Sequence, residues 1–385
     1  MAKLCAVTIA HTGMGNAGHR LHTAFADVPQ VTMVAVSDPD PDGRAKFAKE
    51  SGAKQAYADY TEMLAKEKPD IVVVGQHWYD DARADAFVAA IESGAKGIFC
   101  EKPIAAWPYQ ADKMLAAVRK RKIPVVMAHR SREHPTMQRI KDRAAGGEWG
   151  PLIQAKAHGK GDSRTGAIDT LVLGTHELDA MLFMVGESPE SCWGTITVKG
   201  RPAKRSDAKP SEMYGAGMLA GDRLFAQYLF PGGVVGTYES LPVGDGSYGG
   251  DLQGLDLYYQ NAVVTTRGRS SGQFHVYPCG SIFPHDYLGA WERIPTTSDW
   301  IPDPQPFNPS SDEYKMWRAG CPPMSNRRIA EELVACIAEG REPCKASSIH
   351  DAAKVLDMIV GAHWSHLEGI RVDLPLVDRR NPWTV

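Results

Sequence analysis

What this chain lacks narrows it first. The stretch Leu4 to Ile9 has no basic region before it, no small-residue cleavage site after it and too few apolar residues to cross a bilayer, so a cytoplasmic protein is expected. Seven cysteines stand at 5, 100, 192, 279, 321, 336 and 344, an odd number, scattered and never spaced as CxxC. That pattern offers neither a disulfide framework nor a zinc knuckle and reads as reduced thiols filling cores. Thirteen histidines include no HExxH, because Ala180 stands where the second histidine after His176 would have to be; no metal is expected. The formal net charge is only -3, so no polyanionic partner is called for and nucleic acid is excluded. The basic run Arg119-Lys120-Arg121-Lys122 reads as a solvated helix end that suits the helix dipole. No internal repeat or low-complexity tract is present.

What is present begins with alternation. Short β-branched runs at Leu4 to Ile9, Val31 to Val36, Ile71 to Val74, Gly97 to Cys100 and Pro124 to Ala128 are separated by helical patterns such as Asp80 to Glu92 and Tyr109 to Lys120. Strands alternating with helices imply a parallel sheet with right-handed crossovers, here a first domain over residues 1–128. Beyond about residue 150 the texture changes. Arg223 to Tyr228, Val234 to Ser240 and Leu255 to Arg267 read as antiparallel strands, with Pro231-Gly232-Gly233 as a hairpin loop. The expectation is a second domain over 129–385 built on an open sheet. Thr296 to Pro323, rich in Pro, Ser, Asp and Trp, reads as an ordered surface excursion. Helical patterns at Asn326 to Ala338 and Ile349 to Glu368 then precede an extended tail, Ile370 to Leu376, and the late segment 349–385 is expected to pack back toward the first domain.

The chemistry starts at Gly13-Met14-Gly15-Asn16-Ala17-Gly18, directly after the first strand and ahead of a helix carrying Leu21, Phe25 and Val28 on one face. The first glycine of such a loop makes the tight turn, the second lets backbone approach a pyrophosphate, and the third lets helix and strand pack closely. Helix amides then face the phosphates. About twenty residues on, at the end of the second strand, stands Asp38. A carboxylate there accepts hydrogen bonds from adenosine ribose hydroxyls and repels a 2′-phosphate, which favours NAD over NADP. A glycine turn in an unrelated α/β protein is the bland alternative, and the strand before, helix after and acid at the expected distance weigh against it.

With these motifs the sequence resembles the Gfo/Idh/MocA oxidoreductases. The resemblance runs through residues 13 to 18, Ser37-Asp38-Pro39, Ser93-Gly94 leading to Cys100-Glu101-Lys102-Pro103, Gly174-Thr175-His176-Glu177-Leu178-Asp179, and Ser365 to Pro375. It implies an α/β protein: an N-terminal Rossmann domain with a parallel sheet, then a C-terminal α/β domain with a large, mostly antiparallel open sheet. It further implies action on sugars, cyclitols and related polyols, and a homo-oligomer, dimer or tetramer, without membrane or nucleic-acid partners.

The resemblance also assigns roles. Lys102 matches the lysine beside the nicotinamide and the reacting hydroxyl, and Glu101 its neighbour on the cofactor side; Gly13, Met14, Gly15, Asn16, Ala17, Asp38, Gln76, His77 and Trp78 complete the cofactor contacts. The alternative for Lys102 is a solvated lysine that closes a strand end. His176 matches the histidine that touches substrate and joins proton transfer, with a satisfied core histidine as the alternative. Where many relatives carry an aspartate four residues earlier, this chain has Val172, so Asp169 is the nearest upstream acid, two turns away if the segment is helical. Asp179 reads as a structural carboxylate. The third strand is followed by Gly75-Gln76-His77-Trp78-Tyr79-Asp80 in place of the usual Thr-Pro-Asn turn, and Arg83 stands at a position commonly histidine. Trp78 or Tyr79 either walls the nicotinamide or packs on the neighbouring helix. Arg130, Arg132, Lys160 and Asp162 are substrate candidates, with structural ion pairing equally open for the arginines.

Three functions fit: a dehydrogenase of a secondary hydroxyl, with Lys102 and His176 handling the proton; a glycosidase that oxidises its sugar transiently on tightly held NAD and eliminates the aglycone; and a nucleotide sensor, which would need neither residue.

Overall fold

The computed structural model of the chain describes residues 3–14, 19–161, 166–211, 213–241, 253–267, 273–278, 291–296, 300–302 and 311–385. They form two compact units, one comprising 1–128, 210–218 and 326–356 and the other 129–209, 219–325 and 357–385.

The first unit is built on strands β1 (Leu4–Ile9), β2 (Val31–Ser37), β3 (Gln55–Tyr57), β4 (Ile71–Val74), β5 (Gly97–Cys100) and β6 (Val125–Met127). All pair in parallel in the order β3-β2-β1-β4-β5-β6. The order reverses between β1 and β4, which puts the ligand crevice of such a sheet at the carboxyl ends of these strands. β4 and β5 are buried at every position, as expected of strands covered on both faces. Helices α1 (Pro41–Ser51), α2 (Tyr60–Glu67), α3 (Asp81–Glu92) and α4 (Pro108–Arg121) make the crossovers. Asp40, Asp59 and Asp80 cap the first three, each accepting from a backbone N–H of the first turn.

The helix expected after the glycine loop takes a different form. Residues Leu21–Thr23 make a 3-10 turn, continued by i→i+3 bonds from Ala24, Ala26 and Val28. Pro29 explains this: the residue before a proline avoids the α region, which leaves too short a run for a stable α-helix. Leu21, Phe25 and Val28 are still buried, in a core with Met33, Val73, Phe99, Ile329 and Leu333. The last two come from α8 (Asp312–Glu339). Its approach requires Gly97, where a Cβ would lie 2.8 Å from an Ile337 methyl and 2.9 Å from a Leu333 methyl.

The second unit carries a ten-stranded sheet. Its strands are β7 (Leu152–His158), β8 (Ser191–Val198), β9 (Arg201–Pro202), β12 (Arg223–Leu229), β13 (Val235–Ser240), β14 (Gly254–Tyr259), β15 (Val263–Arg267), β16 (Gln273–Tyr277), β17 (Glu292–Arg293) and β18 (Val372–Asp373). Two short strands, β10 (Lys209–Ser211) and β11 (Gly217–Leu219), pair separately. Pairing is antiparallel throughout the large sheet except between β13 and β7. Burial alternates strictly along β12 and β13, so one face packs inward and the other carries Trp193, Phe225 and Leu229 in the open. The stretch Leu255 to Arg267 is a hairpin of β14 and β15. The Pro231–Gly233 turn joins β12 to β13, with Gly232 and Gly233 at φ 74° and 83°.

Helix α8 corrects the expectation of a surface excursion ending at Pro323: residues from Asp312 onward are helical and run through Pro322 and Pro323. Packing overrides the proline penalty here, because Tyr314, Trp317 and Cys321 bury themselves with Trp300. Of the remaining helices, α5 (Pro135–Ala145) and α7 (Thr175–Val185) belong to the second unit, and α9 (Ile349–Glu368) contributes to both. A four-residue α6 (Gly166–Asp169) runs into α7 through a π turn, Thr170–Gly174. Among the described residues no helix is long and apolar enough to cross a membrane, and Cys5, Cys100, Cys192, Cys321, Cys336 and Cys344 are free thiols.

His363 on α9 is wholly buried and its Nδ1 accepts from Trp383 Nε1 at 2.9 Å. Burial holds its pKa down at about 3. The unfolded chain therefore binds a proton here below pH 6.5 that the folded chain refuses, and stability falls as pH falls. The expected slope from this site is at most about 1.4 kcal/mol per pH unit. Urea midpoints measured from pH 7 to 5 should flatten in His363→Asn by this increment, and an unchanged slope would refute it.

Candidate functional site

In the first unit the chemistry gathers at the carboxyl ends of β1, β2, β4 and β5. Gly13 and Met14 lie in a 3-10 turn with Thr12 just after β1, while Gly15, Asn16 and Ala17 lie outside the described residues. Asp38, one residue past β2, is fully buried, and its carboxylate accepts the N–H of Thr12 at 3.1 Å and of Asp40 at 3.0 Å. Gly43 lets α1 start against this corner, since a Cβ there would sit 1.7 Å from Thr12 Oγ1 and 2.8 Å from Asp38 Oδ2. Two buried polar atoms at this edge, Thr12 Oγ1 and Gln76 Oε1, have no hydrogen-bond partner among the described residues. Buried polar groups are nearly always satisfied, so these two fit a polar cofactor laid along the strand ends.

Glu101 organises the centre. Its Oε2 accepts the His19 backbone N–H at 3.0 Å, and its Oε1 lies 2.8 Å from His19 Nδ1 and accepts the Lys102 N–H at 3.0 Å. Burial alone would raise the Glu101 carboxyl, but the charge and hydrogen bond of His19 and the charge of Lys102 hold it well below the usual carboxylate range. Lys102 is itself fully buried, which rules out a solvated strand-end lysine. His77 is also buried, and desolvation, with the Lys102 charge next, lowers its pKa to about 2, so it is a neutral imidazole. The Tyr79 hydroxyl reaches it at 3.0 Å.

Trp78 and Tyr79 meet a partner that the local sequence does not reveal. Tyr79 donates its N–H to Tyr214 O at 2.7 Å and stacks on the Tyr214 ring, while Trp78 lies against Gly215, where a Cβ would come within 2.3 Å of its Nε1. Tyr214, Gly215 and Ala216 thus anchor beside this loop, with Trp107 Nε1 donating to Ala216 O at 2.9 Å. Arg83 is a second surprise. Fully inside, its guanidinium binds the Glu101 carbonyl and, at 2.6 Å, the Pro103 carbonyl, and so grips the Glu-Lys-Pro segment from both sides of Lys102.

His19, His77 and Glu101 offer ligand atoms within 4.8 Å of one another, a set that no linear spacing announces. Their donor types suit zinc. The surrounding charges do not, since Lys102 and Arg83 both act on His77, and the Glu101 oxygens already accept three N–H groups.

In the second unit, His176 sits in the first turn of α7, fully buried. Asp169 closes α6 and accepts from Ser240 Oγ at 2.5 Å. The π turn between them adds a residue to the helical ladder, a feature that often marks functional sites and that a plain helical count over Leu171 to Leu173 overlooks. Arg132 pairs with Asp179 at 3.3 Å and lies over the Phe183 ring, which supports its structural reading and that of Asp179. Arg130 is buried, Lys160 is half-buried beyond β7, and Asp162 lies outside the described residues. His129, which the sequence does not single out, bonds Thr175 Oγ1 through Nε2 at 2.8 Å. His19 and His129 escape sequence reasoning for one reason: neither is part of a spacing motif, and only the fold gives them partners.

Residues 7–129 match the model of an oxidoreductase family with an NAD-binding Rossmann fold. Among characterised proteins, the chain is 27% identical over 180 residues to dehydrogenase aclE of Aspergillus oryzae, covering 43% of this chain and 48% of that one. It is 29% identical over 126 residues to trans-1,2-dihydrobenzene-1,2-diol dehydrogenase of Oryctolagus cuniculus, 32% of this chain and 37% of that one. The chain thus spans about half or less of the length of these relatives. Levoglucosan dehydrogenase of Pseudarthrobacter phenanthrenivorans is 24% identical over 260 residues, 59% of this chain and 65% of that one. Among solved structures, a levoglucosan dehydrogenase in complex with NADH and levoglucosan superposes with TM-score 0.73 at 18% identity, over 97% of this chain and 100% of that one. That likeness establishes the fold, a Rossmann domain followed by a large, mostly antiparallel sheet.

Removing the Arg83 guanidinium takes its donor from two buried carbonyls, Glu101 O keeping only the weak Cys100 thiol. Arg83→Ala is expected to lower stability by roughly 3 kcal/mol, read from urea unfolding. A loss below about 1 kcal/mol, no more than one ordinary hydrogen bond, would show the grip to be idle.

Proposed function

We propose, from the premise that residues 7–129 belong to the oxidoreductase family with an NAD-binding Rossmann fold, that this protein moves a hydride between NAD and a secondary hydroxyl of a sugar, glycoside or cyclitol. One observation carries the reading: Lys102 is wholly buried at the end of β5, beside an ionised Glu101 and a neutral His77. A lysine in such a place is costly unless it is used.

The glycine-loop turn, Asp38, Gln76 and Glu101 would hold NAD, which supplies the hydride acceptor. Asp38, fixed by Thr12 and Asp40, favours a ribose hydroxyl and disfavours a 2′-phosphate. With NAD bound, the positive nicotinamide would disfavour the charged form of Lys102; the amine left when it gives up its own proton takes the substrate hydroxyl proton as the carbinol carbon gives up its hydride, and His176 aids that transfer. Arg83 keeps the Lys102 backbone from shifting, which matters because placement supplies much of the rate. Asp169, Arg130 and Lys160 remain the residues for polar contact around the substrate. A homo-oligomer belongs to the same reading, supported by the apolar Trp193, Phe225 and Leu229 on the open sheet face, and a monomer in sedimentation would remove it.

Levoglucosan, myo-inositol and a panel of aldoses should generate NADH absorbance. Aglycone release from aryl glycosides without net NADH would favour transient oxidation and elimination instead. Lys102→Ala is expected to lose turnover by roughly 100- to 10,000-fold while NAD affinity by calorimetry persists; surviving turnover would move the proton carrier elsewhere. In Asp38→Ala, weaker NAD binding and a relaxed preference over NADP are expected, and an unaltered preference would place the ribose contact on another residue.

A further inference from the structure

We infer that His129 is a positioning residue for His176, acting with Asp179 from within the second unit. The inference rests on the proposed role of His176 in proton transfer.

The geometry begins with α7. Thr175 and Asp179 lie four residues apart, hence on one side of its first turn, and His176 follows Thr175 directly. His129 reaches both flanking residues: its Nε2 lies 2.8 Å from Thr175 Oγ1, and its Nδ1 lies 3.5 Å from Asp179 Oδ1. The His129 ring also stands edge-on to the His176 ring, with centroids 5.7 Å apart and planes at 84°. His129, Thr175, His176 and Asp179 are all buried to within 1% exposure, so solvent does not compete for these contacts.

Charge assigns the His129 tautomer. A buried carboxylate needs a cation, and Arg132 provides one at 3.3 Å from the same Asp179 oxygen. His129 can therefore stay neutral. A carboxylate only accepts, so the ring proton belongs on Nδ1, toward Asp179; Nε2 then accepts the Thr175 hydroxyl. This is the arrangement by which an outer carboxylate and imidazole fix the orientation of a working group. It also supplies an anchored acid beside His176 in a chain that carries Val172 where a relative would carry aspartate. The His129 imidazole is thus a brace that sets the angle of the His176 ring on the π-turned start of α7.

The test uses the full-length protein with NAD and whichever sugar of the panel reacts. His129→Ala should cut kcat on the order of 100-fold with little change in NAD affinity. His129→Asn, which keeps a donor near the Nδ1 position, and His129→Gln, which keeps a group near Nε2, should each recover part of the loss, and they cover the case in which the alanine variant fails to fold. The decisive comparison is the double variant: if His129 acts through His176, then His129→Ala costs nothing further in a His176→Ala background. In the protein without cofactor, the nitrogen-15 ring signals of His176 should move in every His129 variant. An equal fold-loss in both backgrounds, or unmoved His176 signals, would overturn the inference while leaving the dehydrogenase reading intact. Unimpaired turnover in His176→Ala would instead remove the proton-transfer role of His176 and this inference with it, and the absence of any reactive polyol would remove the dehydrogenase reading as well.

Discussion

One buried carboxylate ties the first unit together. Glu101 gathers the backbone N–H of His19, at the far end of the glycine loop, and that of Lys102, at the end of β5, onto its two oxygens. A fully buried charge is tolerable only when donors and cations surround it, and His19 and Lys102 do so. The loop, the strand end and the lysine are thereby placed by one electrostatic centre. Arg83 works on the other side of the same backbone, binding the carbonyls that flank Lys102, so the Glu-Lys-Pro segment is held through both its donors and its acceptors.

Such concentration of buried charge is costly for stability and informative about use. His77 is forced to remain neutral by burial and by the nearby ammonium, which fits it to accept or donate a hydrogen bond without carrying charge. In the second unit an equivalent economy holds with different parts. The Asp179 carboxylate pairs with Arg132, and His129 braces the start of α7 through Thr175. The π turn from Thr170 to Gly174 adds a local departure from regular helix, stabilised in part by Gln253, which donates to Leu173 O.

Much of this was legible in the residues. Glycine spacing, Asp38 and the Glu-Lys-Pro triplet announced a dinucleotide-binding unit because backbone turns and strand ends impose those residue types locally. Five of the six strands of the first sheet were found within a residue or two, since buried parallel strands advertise themselves as short β-branched runs; the short, exposed edge strand β3 was missed. Two readings failed, one to local proline chemistry and one to packing: a 3-10 turn replaced an α-helix ahead of Pro29, and a proline pair was absorbed into α8. Trp78 and Tyr79 also meet residues 213–216, which no local pattern announces.

By itself the sequence determined the class of cofactor and the alternation that yields a parallel sheet, because each is written in contiguous residues whose spacing has a mechanical cause, while the lysine and histidine worth testing were named by the family resemblance. Only the tertiary structure decided that Lys102 is sealed from water, that Arg83 grips its backbone and that His129 reaches Thr175 and Asp179. Those facts depend on side chains separated by tens of residues arriving at the same few ångströms, and no short-range pattern encodes such a meeting.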